Sequence, residues 1–200
     1  MTMFNAPEVM LIRNWSDVRE LEKTAEAVRS KYVEIFDQVL QAVRNNHREL
    51  NLPWMKSLLR FQSVGIGKES WRFKPDAWPS GFWIEDILLD NLLAQDQAGP
   101  TKWVCIHDPR ADLHEAEDRL REHATKTLGR EELRLIEFGT DKRTAFFGLR
   151  LKEPRDQLVE LLIKDEARGF IRKMIDNFEW MTKFTSVLDE FHSPARKRRK

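Results

Sequence analysis

From Val18 onward, apolar residues return at alternating steps of three and four: Val18, Leu21, Ala25, Val28, Tyr32, Ile35, Val39 and Ala42. Such spacing holds one stripe on one face of an α-helix, the seam of a helix that pairs along its length. Phe36, Leu40 and Val43 widen the stripe toward its end, so that end is expected to enter a domain core. Ser16 or Asp17 can cap the helix, and Pro53 lies beyond its far end, since the residue before a proline is driven from helical angles. A long helix is therefore expected over residues 16–50, after a patternless lead-in of residues 1–15. Val18, Leu21, Val28 and Tyr32 are the seam positions expected to contact protein, either within one chain or between two.

The period then changes from helix to strand. Leu58 to Val64, Ser70 to Lys74, Phe82 to Asp90 and Lys102 to Asp108 read as strands, with Gly65 and Gly67 at the first turn. Pro75, Pro79 and Gly81 fill the next connection, and Gly99-Pro100 marks another. A helix is expected from Asp112 to Leu128. Asp112 and Glu115 approximate a capping box, and Gly129 is expected as the C-terminal cap. Leu133 to Phe138 and Thr144 to Leu151 read as a hairpin around residues 139–142. Pro154 opens a last helical region whose apolar stripe runs from Leu158 to Leu188, with Gly169 as a bend. The expected architecture is α+β: a mostly antiparallel sheet of five to six strands covered by helices. One domain spans 16–192, with the sheet and one inserted helix over 54–151 and helices over 153–192. Its two long helices are able to pack together.

Composition narrows the class. In 200 residues, 41% hydrophobic content with twelve Phe and seven Trp supplies a core, and 34% charge marks a soluble globular chain. The last five residues, Arg196, Lys197, Arg198, Arg199 and Lys200, are all basic, so the preceding 195 carry −4 against +1 for the whole. Any attraction to nucleic acid is thus confined to local patches or to the tail over 193–200, which is expected to be disordered. A single cysteine, Cys105, excludes an internal disulfide and reads as a buried thiol in an apolar run. There is no signal-peptide pattern and no apolar stretch near the ~20 residues that span a bilayer, so a cytoplasmic protein without membrane attachment is expected.

Motifs of catalysis are weak. Gly65-Ile66-Gly67-Lys68-Glu69-Ser70 falls short of a phosphate-binding loop, because Gln62 stands where a glycine is needed and Glu69 where Ser or Thr is. His107, Asp108, Asp112 and His114 offer two imidazoles and two carboxylates to a divalent ion, which would suit a metal-dependent hydrolase. Turn and capping roles account for the same residues, so no metal or other cofactor is implied. Glu85, Asp86 and Asp90 lack the acidic residue, spacer and lysine of a nuclease site on a following strand.

Aromatic residues offer two surfaces. Trp71 with Arg72 and Lys74 can stack bases beside a basic track that the tail Arg196–Lys200 would extend. Trp78 and Trp83 suit the centre of a protein interface. Trp71-Arg72-Phe73-Lys74-Pro75-Asp76-Ala77-Trp78, then Phe82 to Ile87, then Trp103 to Asp108, resembles the C-terminal module after the catalytic core of some bacterial PD-(D/E)XK-type nuclease family proteins. The resemblance covers roughly residues 30–150. It implies a recognition or accessory part in a bacterial or phage defence setting, and no catalytic residue carries over because only a helix precedes the module. The sequence thus points to a non-catalytic protein that binds a protein partner or a second copy of itself, with nucleic-acid binding as the alternative.

Overall fold

The computed structural model describes residues 5–58, 61–72, 80–93, 99–107, 112–141 and 143–193. At its centre, β1 (Leu52–Leu58), β2 (Phe61–Gly67), β3 (Gly81–Glu85), β4 (Thr101–His107), β5 (Glu137–Asp141) and β6 (Thr144–Arg150) form one sheet in the order β1-β2-β3-β4-β6-β5. Every neighbouring pair is antiparallel. The chain is α+β, as its change of hydrophobic period predicts.

Side-chain alternation assigns the two sheet faces. Val64, Ile84, Val104 and Phe147 lie on one face with Ile66, Phe82, Ile106 and Ala145, and all are fully buried. Against this face pack α4 (Leu113–Thr127) and α7 (Arg168–Thr182). Phe147 meets Phe184, just beyond α7, at 4.6 Å between ring centroids and Trp180 of α7 at 6.3 Å, while Arg121 of α4 stands 4.3 Å above the Phe138 ring. Phe82 and Phe147 are each wholly enclosed, and burial of such a ring stabilises the fold by about 1.5–3 kcal/mol.

Outside α7 lies the long helix α2 (Trp15–Asn46). Tyr32, Phe36, Val39, Leu40 and Val43 are its buried residues. Tyr32 and Phe36 each sit 5.9 Å from Phe170 of α7, so the two long helices pack together as the stripes predict. Near the end of α2, Asn46 donates to Glu179 Oε1 at 2.9 Å and His47 Nε2 lies 2.6 Å from Glu179 Oε2. Shorter helices complete the fold: α1 (Ala6–Arg13), α3 (Leu89–Leu93), α5 (Arg130–Arg134), α6 (Arg155–Ile163) and α8 (Thr185–His192). None of the described helices is long and apolar enough to cross a membrane.

Several boundaries differ from the sequence expectation. The lead-in is a helix, α1, with Asn5 and Glu8 forming a capping box. β1 occupies residues expected to be a connection, and Gly65 and Gly67 lie inside β2 and not in a turn. Glu69–Trp71 is a 3-10 turn where a strand was expected, and β3 stops at Glu85, followed by Asp86 in a left-handed conformation (φ 56°). Residues 130–134 are helical, and Gly129 is the N-cap of α5. The C-terminal helical region breaks at Asp165, Glu166 and Ala167, all with positive φ, and not at Gly169. Gly169 instead lets α7 approach α6, because a Cβ there would come within 2.8 Å of Leu161. Asp112 caps α4 as expected, accepting from the backbone N–H groups of His114 and Glu115.

Candidate protein interface

The seam of α2 divides at Tyr32. Beyond it the stripe is core, whereas no described side chain from Asn5 to Lys31 is buried. Trp15 to Lys31 alone rises about 25 Å. Leu21 is 69% exposed, Val28 46% and Trp15 52%, and Leu11 of α1 is exposed as well; Val18 is half-buried. At 3.6 residues per turn, Val18, Leu21, Ala25 and Val28 of α2 fall within about 40° of Tyr32 around the helix axis, whereas Leu11 belongs to α1, which Asn14 separates from α2 with non-helical angles (φ −108°, ψ 26°). One apolar stripe is therefore covered by the chain's own domain at one end and presented outward at the other. Tyr32 must be reassigned from interface to core: it is 4% exposed and its hydroxyl donates to the Ile87 carbonyl.

A second aromatic surface covers the sheet face opposite α7. Trp54, Gly65, Trp83, Trp103, Gly148 and Glu137 stand directly opposite one another across all six strands. The glycines make room for the rings, since a Cβ at Gly65 would overlap the Trp54 indole and one at Gly148 the Trp103 indole. Trp54 meets Trp83 edge to face at 5.9 Å, and Trp103 meets Phe146 at 5.2 Å. Trp83 is half-buried within this row. Beside it, Glu85 has its carboxyl raised above the ordinary range, first by burial and then by the adjacent Asp86. Trp78, the other aromatic proposed for protein contact, lies outside the described residues.

Other sequence-derived sites are dispersed. Trp71 is wholly buried and its indole N–H donates to Asp189 Oδ1 at 2.9 Å, so it is a core residue and not a base-stacking platform. Arg72 is half-buried, with Glu69 at 3.7 Å. Lys74 and Arg196, Lys197, Arg198, Arg199 and Lys200 lie outside the described residues. Lys68, from the glycine-rich stretch, binds both carboxylate oxygens of Asp189. His107 Nδ1 lies 2.9 Å from Thr144 Oγ1, and Asp112 is engaged in capping; Asp108 lies outside the described residues. Among the described residues, no group of three or more metal-ligating side chains is assembled. Asp90 pairs with Arg29 at 3.4 Å. Cys105 is buried, and burial pushes its thiol upward.

Two polar clusters have no counterpart in the sequence reading. Lys102 is 5% exposed, donates to Asn177 Oδ1 at 3.1 Å and stands 3.9 Å over the Trp180 ring. Trp180 in turn donates to Glu132 at 3.0 Å. Burial holds the Lys102 ammonium below the ordinary lysine range, at about 8. The fully buried Ser80 hydroxyl receives the His107 backbone N–H at 2.7 Å and lies 2.7 Å from His192 Nε2, joining α8 to the sheet. Only the strand position of Lys102 was available from sequence; its partners are some 75 residues away.

Comparison of the chain with protein-family models, with curated proteins and with solved structures found no significant match.

Proposed function

We propose that this chain is a protein-interaction module whose binding element is the helical arm of residues 6–31. The single observation that supports this is the apolar stripe Val18, Leu21, Ala25 and Val28, half-buried at Val18 and exposed at the other three, continuous along α2 with a stripe that is core from Tyr32 on. An amphipathic helix with its apolar face outward gains little stability from that face by itself. Covering it with another apolar helix face or groove recovers the hydrophobic term, as in helix-in-groove recognition. The half-buried tryptophan row on the sheet is a second, flatter contact surface, in which Trp54 packs edge to face on Trp83 and Trp103 on Phe146.

The test compares the wild-type chain with a Leu21→Glu, Val28→Glu double variant, by molar mass across concentration and by retention of a protein partner from the source cell. Both positions are exposed, so thermal stability should change little, while association through the arm should be lost. A wild-type chain that neither self-associates nor retains protein, and that behaves like the variant, would overturn the reading.

A further inference from the structure

We propose that the outer face of the sheet carries a binding cleft for a small zwitterion with a flat apolar group, the chemistry of an aromatic amino acid. The cleft is separate from the helical arm. Its floor is aromatic, and its two ends carry opposite charge.

The floor comes from the strands. Glu85, Thr101 and Arg150 stand opposite one another on β3, β4 and β6. Each lies two residues from Trp83, Trp103 or Gly148, so alternation puts all six on one face. The Trp103 indole spreads over Gly148, in the space a Cβ would fill. Leu135, 67% exposed, and Ile136 lead from α5 into β5 and form a wall. Together these residues bound a cleft of about 630 Å³, a size within the roughly 300–1,000 Å³ of small-molecule sites. An aromatic floor holds a ring by stacking, and a few polar groups at its edges fix the orientation.

One end is basic. Arg134, Arg150 and Lys152 line it, and among the described residues none of the three has an ion-pair partner. The backbone adds a donor. Leu151 N–H bonds to the Pro100 carbonyl, so in an antiparallel ladder the Arg150 N–H points away from β4. On that side β5 reaches only as far as Glu137, opposite Gly148. A carboxylate here has the Arg150 N–H and the cationic side chains of this end as partners, and a guanidinium matches its planar geometry. Of the acidic groups at this end, Glu132 accepts from Trp180 at 3.0 Å and Glu137 is exposed.

The other end is acidic. β3 stops at Glu85, and Asp86 follows in a left-handed conformation (φ 56°). Burial and this neighbouring charge both raise the Glu85 carboxyl, with the Trp103 side chain opposing the shift. A ligand ammonium offsets the repulsion between the two acids. Glu85 and Arg150 are two strands apart, roughly 10 Å between Cα atoms. Side chains of their length narrow that gap to the span between the ammonium and carboxylate of one small molecule.

The experiment is calorimetric titration of the full chain with three probes: L-phenylalanine, phenylpropionate, which lacks the ammonium, and phenethylamine, which lacks the carboxylate. L-Phenylalanine should bind, and each analogue should bind roughly two- to fivefold more weakly, the effect of one exposed ion pair. Arg150→Gln should weaken L-phenylalanine and phenylpropionate by a similar factor and leave phenethylamine unchanged. Glu85→Gln should weaken L-phenylalanine and phenethylamine and leave phenylpropionate unchanged. Arg150 is exposed, so its variant keeps the fold even if the half-buried Glu85 position does not tolerate change. No saturable binding of any probe at millimolar concentration would overturn the site. Binding that neither substitution alters, or that both alter equally for all three probes, would overturn the assignment of the two ends.

Discussion

The indole N–H of Trp71 donates to Asp189 at 2.9 Å, and the same carboxylate receives Lys68 at 2.6 Å. This joins the 3-10 turn after β2 to the final helix, 118 residues away in the chain. The Trp71 ring is fully enclosed while Asp189 is 46% exposed, so without the carboxylate the N–H exchanges a charged acceptor for water at best. Asp189→Ala should therefore destabilise the fold by about 1.5–3 kcal/mol, the range for hydrogen bonds to charged groups. Asp189→Asn, which keeps an acceptor, should cost less. Urea unfolding of the three proteins measures the difference; equal stability of Asp189→Ala and wild type would refute the role assigned to this contact.

Gly65 and Trp54 should be energetically coupled. The Trp54 indole lies over Gly65 where a methyl group would stand. Gly65→Ala is expected to destabilise by about 1–3 kcal/mol in the presence of Trp54, the usual effect of overpacking. In a Trp54→Ala background the same substitution should be much milder. A double-mutant cycle giving a coupling energy within experimental error of zero would show that the glycine is tolerated for another reason.

Lys102 should make stability rise with alkalinity. Its ammonium is held at about 8 by burial, with Glu132 and Glu153 opposing that shift and Lys152 and Lys183 adding to it. An unfolded lysine titrates near 10.4. Between these limits the unfolded chain binds more protons than the native one, so the unfolding free energy increases with pH. Below pH 8 both states are charged, and the native state bears the full desolvation cost. Lys102→Met should remove the rise between about pH 8 and 10, as read from denaturation midpoints over that range. Persistence of the rise in the variant would assign it to another group.

Tyr32 acts in the opposite sense and at higher pH. Burial raises its phenol far above the ordinary range, and its hydroxyl donates to the Ile87 carbonyl. The native state thus holds the proton that an unfolded tyrosine releases near pH 10, and the stability this provides is lost as pH climbs past that value. Since this is the only tyrosine, phenolate absorbance should appear only on unfolding. Tyr32→Phe should cost about 0.5–1.5 kcal/mol at neutral pH. A phenolate band in the folded protein near pH 10 would contradict the burial of this group.

Much of the architecture was legible because it is written in local periodicity. The three-and-four spacing of Val18 through Ala42 marks α2, and Asp112 with Leu113, Ala116 and Leu120 marks α4, since a helix face repeats every 3.6 residues whatever it packs against. β1 has no local signature because Pro53 and its surroundings look like a connection; an edge strand tolerates proline near its start, where the missing N–H costs no ladder bond. Gly65 looked like a turn residue for the same local reason, and its place inside β2 follows only from the ring that covers it.

What sequence by itself determined is the fold class, the position of the long helices and the existence of a seam from residue 18 to 42. Tertiary structure decided which part of that seam is surface. Val28 and Tyr32 are neighbours on one helical face, equivalent by spacing and by hydrophobicity. Phe170, far along the chain, covers Tyr32 and leaves Val28 46% exposed. The same holds for Trp71 and Trp83: both are tryptophans of the central stretch, yet one is core because Asp189 and Phe82 close around it, and the other is half open in the outer row. Periodicity is a property of the chain's own geometry and can be read along it. Burial is a property of contacts between residues of different elements, such as Tyr32 with Phe170 or Trp71 with Asp189, and these exist only once the sheet and helices have come together.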